Sequence, residues 1–363
     1  MSLTDMPPPL AGPGSDPDPA LVEALALAMD AHDAARDGAF PEAAWALLDA
    51  AGLAGFSTDG VPVADELAAV RAAGRADVSL GRLLDGHLNG VQRLLVQVDP
   101  AVAGPELAAV RDGRVRVGVW GADPGPGEGE PARLRAGAPV LDGVKTFCSG
   151  AGGLQRAFVL ARGPGDERPV RLAYVDLTAG TTVDRAWYGG EGMRGSASHR
   201  VCFDGAPVLW TADAPAALMA QPWFAQDGLR TAAGWAGGAD AVVDGTLAVL
   251  RAKGGAGPVE ELAVARLLAA RRATDLWLAA AAEAVETRAT DLADTTLLAR
   301  SEIAAAVRAI LDESSRVLGA RPFATGGRIE RARRDLLTYL LQHRLEPPLT
   351  ALGRRTLDAD PPA

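Results

Sequence analysis

Residues 141–150 read LDGVKTFCSG and lie within a longer stretch, residues 114–208, whose texture differs from both flanks. This stretch consists of short runs with apolar alternation, separated by glycine and proline, as at 115–120, 157–161 and 171–175. Such runs, bounded by turn residues, are typical of β-strands. The sequence therefore predicts a small all-β domain in the middle of the chain.

Apolar residues with helical spacing lie on both sides of this β block. Before it, Leu21, Leu25 and Met29 recur at helical intervals, and after it residues 259–287 form a long periodic run. We therefore predict an α+β multidomain chain in four parts: a flexible tail at 1–19, an N-terminal helical domain at 20–113, a central β domain at 114–211 and a C-terminal helix bundle at 212–363.

Composition excludes several classes of protein. The 363 residues are 48% hydrophobic and 23% charged, which is ordinary for a globular protein and excludes a mainly disordered chain. A net charge of −10 argues against a general nucleic-acid binder or a protein of anionic membranes. Two cysteines and four histidines lack the spacing of a zinc site. We therefore expect no metal. No membrane span or secretory signal is recognisable, so we also expect a cytoplasmic location.

Several segments, taken in order, resemble the acyl-CoA dehydrogenase superfamily of flavoenzymes. Residues 141–150 resemble its NG-K-x-W/F hairpin, and residues 192–198 with 201–208 resemble the G-x-R-G-S-x-T and F-D-x-V segments that close its β domain. Residues 333–335 resemble its C-terminal R-D region. The resemblance spans about residues 41–352. It implies a central β-barrel domain and a C-terminal four-helix bundle that builds a homodimer or homotetramer.

The resemblance also implies a flavin between the β domain and the bundle. By position, Phe147 and Ser149 line the isoalloxazine ring, and Trp120 lies on a strand that faces the same ring. Arg251 occupies the place of a basic residue that reaches the pyrophosphate of a neighbouring subunit's FAD, and Gly319 belongs to the conserved C-terminal region. The other pyrophosphate positions do not match the family, so FMN stays open beside FAD.

The catalytic base of a dehydrogenase is missing from the resemblance. The family's glutamate position falls on His343, and the alternative position, directly before the characteristic arginine of the bundle, falls on Leu229. Abstraction of a proton beside a thioester needs a carboxylate of raised pKa. Glu346 lies three residues after His343 and is the candidate that remains on that segment.

Two histidines instead resemble the flavin-dependent monooxygenase branch of the same superfamily. His87 ends a D-x-S-L segment in a helix that also carries Arg82, Asp85, Asn89 and Arg93 as polar interruptions, and His343 lies one place from the branch's C-terminal histidine. In that branch reduced flavin reacts with oxygen, and a neutral imidazole can hydrogen-bond or protonate the oxygen.

The sequence thus leaves three functions open. The first is a flavin-dependent oxidoreductase of the acyl-CoA dehydrogenase type, acting on an acyl thioester without the usual glutamate. The second is a two-component monooxygenase that acts on a small hydrophobic or aromatic substrate. It requires a separate flavin reductase, because the chain has no Rossmann fingerprint for a nicotinamide. The third is a non-catalytic member of the family.

Overall fold

The computed structural model describes residues 18–168, 170–254, 256–342 and 344–358. The predicted order of helical, β and helical blocks is confirmed. The first block contains five helices: α1 (Pro19–Ala35), α2 (Glu42–Ala50), α3 (Val63–Ala76), α4 (Val78–Val96) and α5 (Pro100–Arg111).

The β block contains seven strands in the described residues: β1 (Val117–Trp120), β2 (Arg133–Leu134), β3 (Val140–Cys148), β4 (Arg156–Ala161), β5 (Arg171–Asp176), β6 (Thr181–Asp184) and β7 (His199–Asp213). They form a mixed sheet in the order β1-β4-β5-β7-β3-β2, with β6 also pairing with β7. The long β7 pairs with β5 over one half and with β3 over the other. A further bridge joins Arg133 to Arg162, so the sheet curls back on itself.

The last block is helical: α6 (Ala214–Met219), α7 (Trp223–Ala252), α8 (Pro258–Glu286), α9 (Leu292–Leu318), α10 (Arg321–Ala324), α11 (Arg328–Tyr339) and α12 (Glu346–Asp358). The apolar faces of α7, α8 and α9 pack against one another and against α3 and α4 in one continuous core. A second core fills the β block, and a third lies between α4, α5 and the sheet.

The side chain of Asp77 fixes the N-terminus of α4, the helix that carries the polar interruptions, through hydrogen bonds and an ion pair. Asp77 is the N-cap residue of α4, and its side chain accepts hydrogen bonds from the backbone N–H groups of Ser79 and Leu80 at 2.8 and 3.2 Å. Its other carboxylate oxygen lies 2.8 Å from Nε of Arg331 on α11. The start of α4 is therefore tied to the C-terminal block.

No helix within the described ranges is long and apolar enough to cross a membrane. The same ranges contain no group of three or more His, Cys, Asp or Glu side chains placed to hold a metal ion.

Candidate functional site

A cavity of about 760 Å³ opens where the β block meets α4, α7, α9 and α11. Its volume is that of an ordinary ligand or cofactor pocket. The β block contributes residues after β1, at the end of β3 and before β7, and the helices contribute both polar and aromatic side chains. Residues 141–150 and 192–198, two of the stretches that resemble the flavoenzymes, both contribute side chains to this cavity.

Three serines form a hydrogen-bonded chain on the β side of the cavity. Ser196 Oγ donates to the carbonyl oxygen of Met193 at 2.6 Å, Ser198 Oγ lies 2.7 Å from Ser196 Oγ, and Ser149 Oγ lies 2.9 Å from Ser198 Oγ. A hydroxyl has a single proton. Because the proton of Ser196 is used on a carbonyl, Ser198 must donate to Ser196 and Ser149 must donate to Ser198. Ser149 therefore presents acceptor lone pairs to the cavity.

The backbone around these serines is held in strained conformations. Phe147, Met193 and Ala197 have φ angles of 51°, 60° and 45°, in the left-handed region that residues with a side chain seldom adopt. Backbone hydrogen bonds from Gly150 to Ser196 and from Ala151 to Ala197 lock the two loops together. Strain of this kind clusters at functional sites, where the surrounding structure has to enforce it.

Asp335 of the R-D segment connects the C-terminal block to the same loops. Its Oδ1 accepts the backbone N–H of Met193 at 2.7 Å, and burial, with the charge of Asp77, raises its pKa to about 7. One oxygen of Asp33 on α1 accepts from both Arg194 and Arg334, at 2.7 and 2.8 Å. Residues 192–198 and 333–335, two of the segments that carry the resemblance, are thus held together directly and through Asp33.

A buried polar cluster forms the helical wall of the cavity. Arg82, Thr231 and Tyr339 all donate to Oδ2 of Asp85, at 2.9, 3.2 and 3.1 Å. Their side chains come from α4, α7 and α11. Since a buried charge is tolerated only when paired and hydrogen-bonded, this convergence fixes the wall. Asn89 adds a buried Oδ1 that lacks a partner among the described residues.

Two of the three residues predicted to line the flavin ring, Phe147 and Ser149, line the cavity, and Trp120 does not. Phe147 is 59% exposed, lines the cavity and packs edge-on against Trp187 at 4.8 Å, and Ser149 also lines it. Trp120 is buried in the β core and donates from Nε1 to the carbonyl oxygen of Ser149 at 3.0 Å. Its strand neighbour Val119 lines the cavity instead, because successive side chains of a strand point to opposite faces. Trp120 supports Ser149 from behind.

Arg251 and Gly319 lie away from this chain's cavity lining. Arg251 is exposed near the end of α7, and twenty residues separate it from Thr231, about 30 Å along a helix. It does not reach the cavity of its own chain, so its role toward a neighbouring subunit stays a prediction. Gly319 ends α9 with a φ of 67° in open space. Gly319 terminates that helix, and its place in a flavin site stays a prediction.

His87 differs from the predicted role. Its Nδ1 accepts the backbone N–H of Val117 at 3.0 Å, so the ring proton is on Nε2, which is donated to the carbonyl oxygen of Ala54 at 2.9 Å. Both ring nitrogens are thus used by backbone groups, and the ring packs edge-on to Trp45. Burial lowers the pKa of His87 to about 4. His87 joins α4 to β1 as a neutral ring and has no free nitrogen for a flavin or its oxygen.

The other two predicted catalytic residues do not form part of the described site. His343 lies outside the described residues. Glu346 is exposed at the start of α12 and is not among the residues that line the cavity. In the described part of the lining the single carboxylate is Asp227, on α7, whose Oδ2 lies 3.6 Å from Nη2 of Arg93.

The buried state of His87 has a consequence for stability against acid. The pKa of His87 is lower in the folded chain than its value of about 6.5 in an unfolded chain. The contribution of the neutral ring to the free energy of unfolding is therefore complete above about pH 6.5 and is lost as the pH falls toward 4. Between neutral pH and about pH 4, the free energy of unfolding should fall by about 3 kcal/mol more in the wild-type chain than in the His87→Asn variant. Urea unfolding at the two pH values measures this.

The matched control is His32→Asn, which changes a histidine of α1 that is only partly buried. Equal acid sensitivity of His87→Asn and the wild-type chain would show that the imidazole already titrates normally in the folded state.

Sequence reasoning missed most of the helical wall. Arg82 and Asn89 are recognisable as polar interruptions of an apolar helix, and Ser196 with Ser198 belong to the segment 192–198. Nothing in the local pattern singles out Asp227, Thr231 or Arg300. These three residues reach the cavity only because α7 and α9 pack beside α4.

No family model matches this chain, and no curated protein is similar to it in sequence. Solved structures do match. KijD3, in complex with FMN and dTDP-3-amino-2,3,6-trideoxy-4-keto-3-methyl-D-glucose, is 20% identical over 97% of this chain and 96% of its own, with a TM-score of 0.78. TdsC from Paenibacillus sp. A11-2, with FMN and indole, is 19% identical over 94% and 96%, with a TM-score of 0.76.

A nitrososynthase from Micromonospora carbonacea var. africana is 22% identical over 96% of this chain and 98% of its own, with a TM-score of 0.74. In each comparison the two chains match over nearly their whole length, although fewer than a quarter of the residues are identical. The chain therefore shares the fold of these structures, and the predicted acyl-CoA dehydrogenase-like fold is confirmed.

Proposed function

We propose that this chain is a flavin-dependent monooxygenase that uses flavin reduced by a separate protein. The observation that carries the proposal is the direction of the serine chain, which leaves Ser149 as an acceptor toward the cavity. A reduced isoalloxazine has one more ring N–H donor than the oxidised ring. An acceptor hydroxyl on the cavity wall therefore favours the reduced cofactor.

The described cavity residues fit a flavin. Phe147 offers an exposed aromatic face and Ser149 offers an acceptor. The buried Oδ1 of Asn89 has no partner among the described residues and can accept from a ring N–H or a ribityl hydroxyl. FMN is favoured over FAD because two of the similar solved structures hold FMN, and because the family's partners for an adenine dinucleotide are not matched near Arg251.

Dehydrogenation of a thioester has less support. Asp227 is the one carboxylate in the described lining, and it is paired with Arg93. Its protonation by a substrate would leave a guanidinium that is 5% exposed without an anion, which is costly. Glu346, the other carboxylate considered, is exposed away from the lining. An acyl thioester therefore has no free base at hand among these residues.

Reduced flavin supplies the two electrons with which one atom of dioxygen enters the substrate and the other leaves as water. The chain's own part is to bind and enclose the reactants. Tyr339 and Thr231 point their hydroxyls at Asp85, so these protons are held away from the reaction, and Trp120 and Ser198 keep Ser149 in place. The aromatic rings of Phe147, Tyr188 and Phe224 form walls suited to a small hydrophobic or aromatic substrate.

The partners follow from this chemistry. A separate nicotinamide-dependent flavin reductase has to deliver the reduced cofactor. A homodimer or homotetramer is supported by α8, which leaves Val259, Leu262 and Leu276 51–60% exposed, since apolar side chains on one helix suit a subunit contact.

Replacing Ser149 with alanine tests the proposal. We expect the wild-type chain to bind reduced FMN about tenfold more tightly than oxidised FMN, and Ser149→Ala to lose most of this preference, because one good hydrogen bond is worth about a factor of ten. Anaerobic equilibrium titration with photoreduced and oxidised FMN measures both dissociation constants.

Ser315→Ala is the control, because Ser315 on α9 also has a hydrogen-bonded hydroxyl but lies outside the cavity lining. It should keep the wild-type preference. Tighter binding of oxidised than of reduced FMN by the wild-type chain would overturn the proposal, and so would the absence of any FMN binding.

A further inference from the structure

One arginine on the cavity wall has no ion-pair partner within the described residues. Arg300 on α9 lines the cavity, and its Nε and Nη2 atoms are buried without a hydrogen-bond partner. Buried guanidinium N–H groups are strong donors, and leaving them unused costs more than for neutral groups. The N–H groups on Nε and Nη2 of Arg300 therefore need a hydrogen-bond acceptor that the described chain does not supply.

Among the described residues around the cavity, one arginine is left without a paired carboxylate. Arg82 pairs with Asp85 at 2.9 Å, and Arg93 lies 3.6 Å from Asp227. Both carboxylates attract Arg300 at longer range, but neither is within ion-pair distance of it. Burial lowers the pKa of Arg300, and the two carboxylates oppose that effect. Arg300 therefore lines the cavity as a positive charge that no carboxylate of the described chain pairs with directly.

Helix α7 reserves the space that holds Arg300 in this position. A side-chain carbon at Gly228 would lie 3.0 Å from both Cδ and Nη1 of Arg300, so the missing side chain makes room for the guanidinium. On α7 as well, the ring of Trp235 lies 6.0 Å from Cζ of Arg300, a cation–π distance. Two features of one helix thus hold the guanidinium at the cavity wall.

We propose that Arg300 binds the anionic group of the substrate, and that the substrate is an aromatic acid whose carboxylate pairs with this guanidinium. A carboxylate is an acceptor that a guanidinium pairs with strongly, because the hydrogen bond joins two opposite charges. The aromatic walls, Phe147, Tyr188 and Phe224, match the rest of such a molecule. This proposal rests on the proposed function in that both place their ligands in the same cavity.

The same chemistry would suit the phosphate of FMN, so the experiment uses two pairs of ligands. The first pair is indole and indole-3-carboxylate, and the second is riboflavin and FMN. Dissociation constants are measured by calorimetry on the full chain, with the indole pair titrated both without flavin and in the presence of FMN. The variants are Arg300→Gln, Arg300→Lys and, as the control, Arg308→Gln, which removes an exposed charge from the same helix.

We expect the wild-type chain and Arg308→Gln to bind indole-3-carboxylate about tenfold or more tightly than indole. Arg300→Gln should abolish this preference and leave the ratio for FMN against riboflavin unchanged, whereas Arg300→Lys should keep part of it. Because Arg300→Gln removes an unpaired buried charge, its melting temperature should be no lower than that of the wild-type chain. Measuring this temperature checks that the variant is folded.

Three results would overturn the proposal. The first is an unchanged preference for the carboxylate in Arg300→Gln, and the second is no saturable binding of indole-3-carboxylate to the wild-type chain. The third is a loss of FMN affinity without a loss of riboflavin affinity in Arg300→Gln, which would assign the guanidinium to the flavin phosphate. The proposed function fails separately, if FMN itself does not bind.

Discussion

Replacing Arg230 with methionine is expected to lower the free energy of unfolding by about 3–5 kcal/mol, because it leaves a buried carboxylate without its cation. Arg230 is fully buried in α7, and its Nε and Nη2 lie 2.8 and 2.7 Å from Oε2 of Glu66 on α3. Gln92 and Gln226 complete the cluster with hydrogen bonds to Arg230, Glu66 and each other. Urea unfolding followed by tryptophan fluorescence measures the loss.

Two further variants make this result specific. Arg272→Met removes a guanidinium that is 71% exposed and 3.8 Å from Asp275, and should change stability by less than about 0.5 kcal/mol. The double change Glu66→Leu with Arg230→Met should recover much of the loss, since a buried pair can be replaced by apolar groups. A loss of under about 1 kcal/mol for Arg230→Met would mean that the pair is solvated.

Replacing Gly237 with alanine is the second large effect. A side-chain carbon at Gly237 on α7 would lie 2.1 Å from the carbonyl oxygen of Arg71 on α3, and backbone cannot move aside as a flexible side chain does. The two helices would have to separate, at a cost of about 3 kcal/mol. Chemical denaturation gives this value directly.

Gly104→Ala is the matched control, because Gly104 is also inside a helix but has nothing within 4 Å of the added carbon. It should stabilise the chain by about 0.5–1 kcal/mol through helix propensity alone. Gly237→Ala as stable as the wild-type chain would mean that α3 and α7 do not approach so closely.

Periodicity in the sequence was sufficient for the order of helical and β blocks, because strand and helix have different periods. The alternating runs of the middle block became a seven-stranded sheet, and the periodic flanks became helices, with strands beginning at Val117 and ending at Asp213 in the described chain. The motifs at 141–150 and 192–198 also led to Phe147 and Ser149 at the cavity. The block order follows from local pattern, which reports the apolar face of each element, whereas Phe147 and Ser149 were predicted from the resemblance.

The remaining site depended on information that no local pattern contains. Trp120 and Val119 are adjacent, and only the register of β1 decides which of them faces the cavity. A histidine in an apolar helix has the same sequence signal whether it meets a ligand or, like His87, two backbone groups. Arg300 resembles any surface arginine until the gap at Gly228 shows where it is held.

The absorption spectrum of the FMN-loaded protein, titrated anaerobically with a panel of acyl-CoA thioesters, tests the central claim most directly. Because Asp227 is paired with Arg93 and Glu346 lies away from the described lining, the bound flavin should stay oxidised and yellow with every thioester. Bleaching of the flavin by any thioester would contradict the claim, because it would show dehydrogenation by a base that we have not assigned.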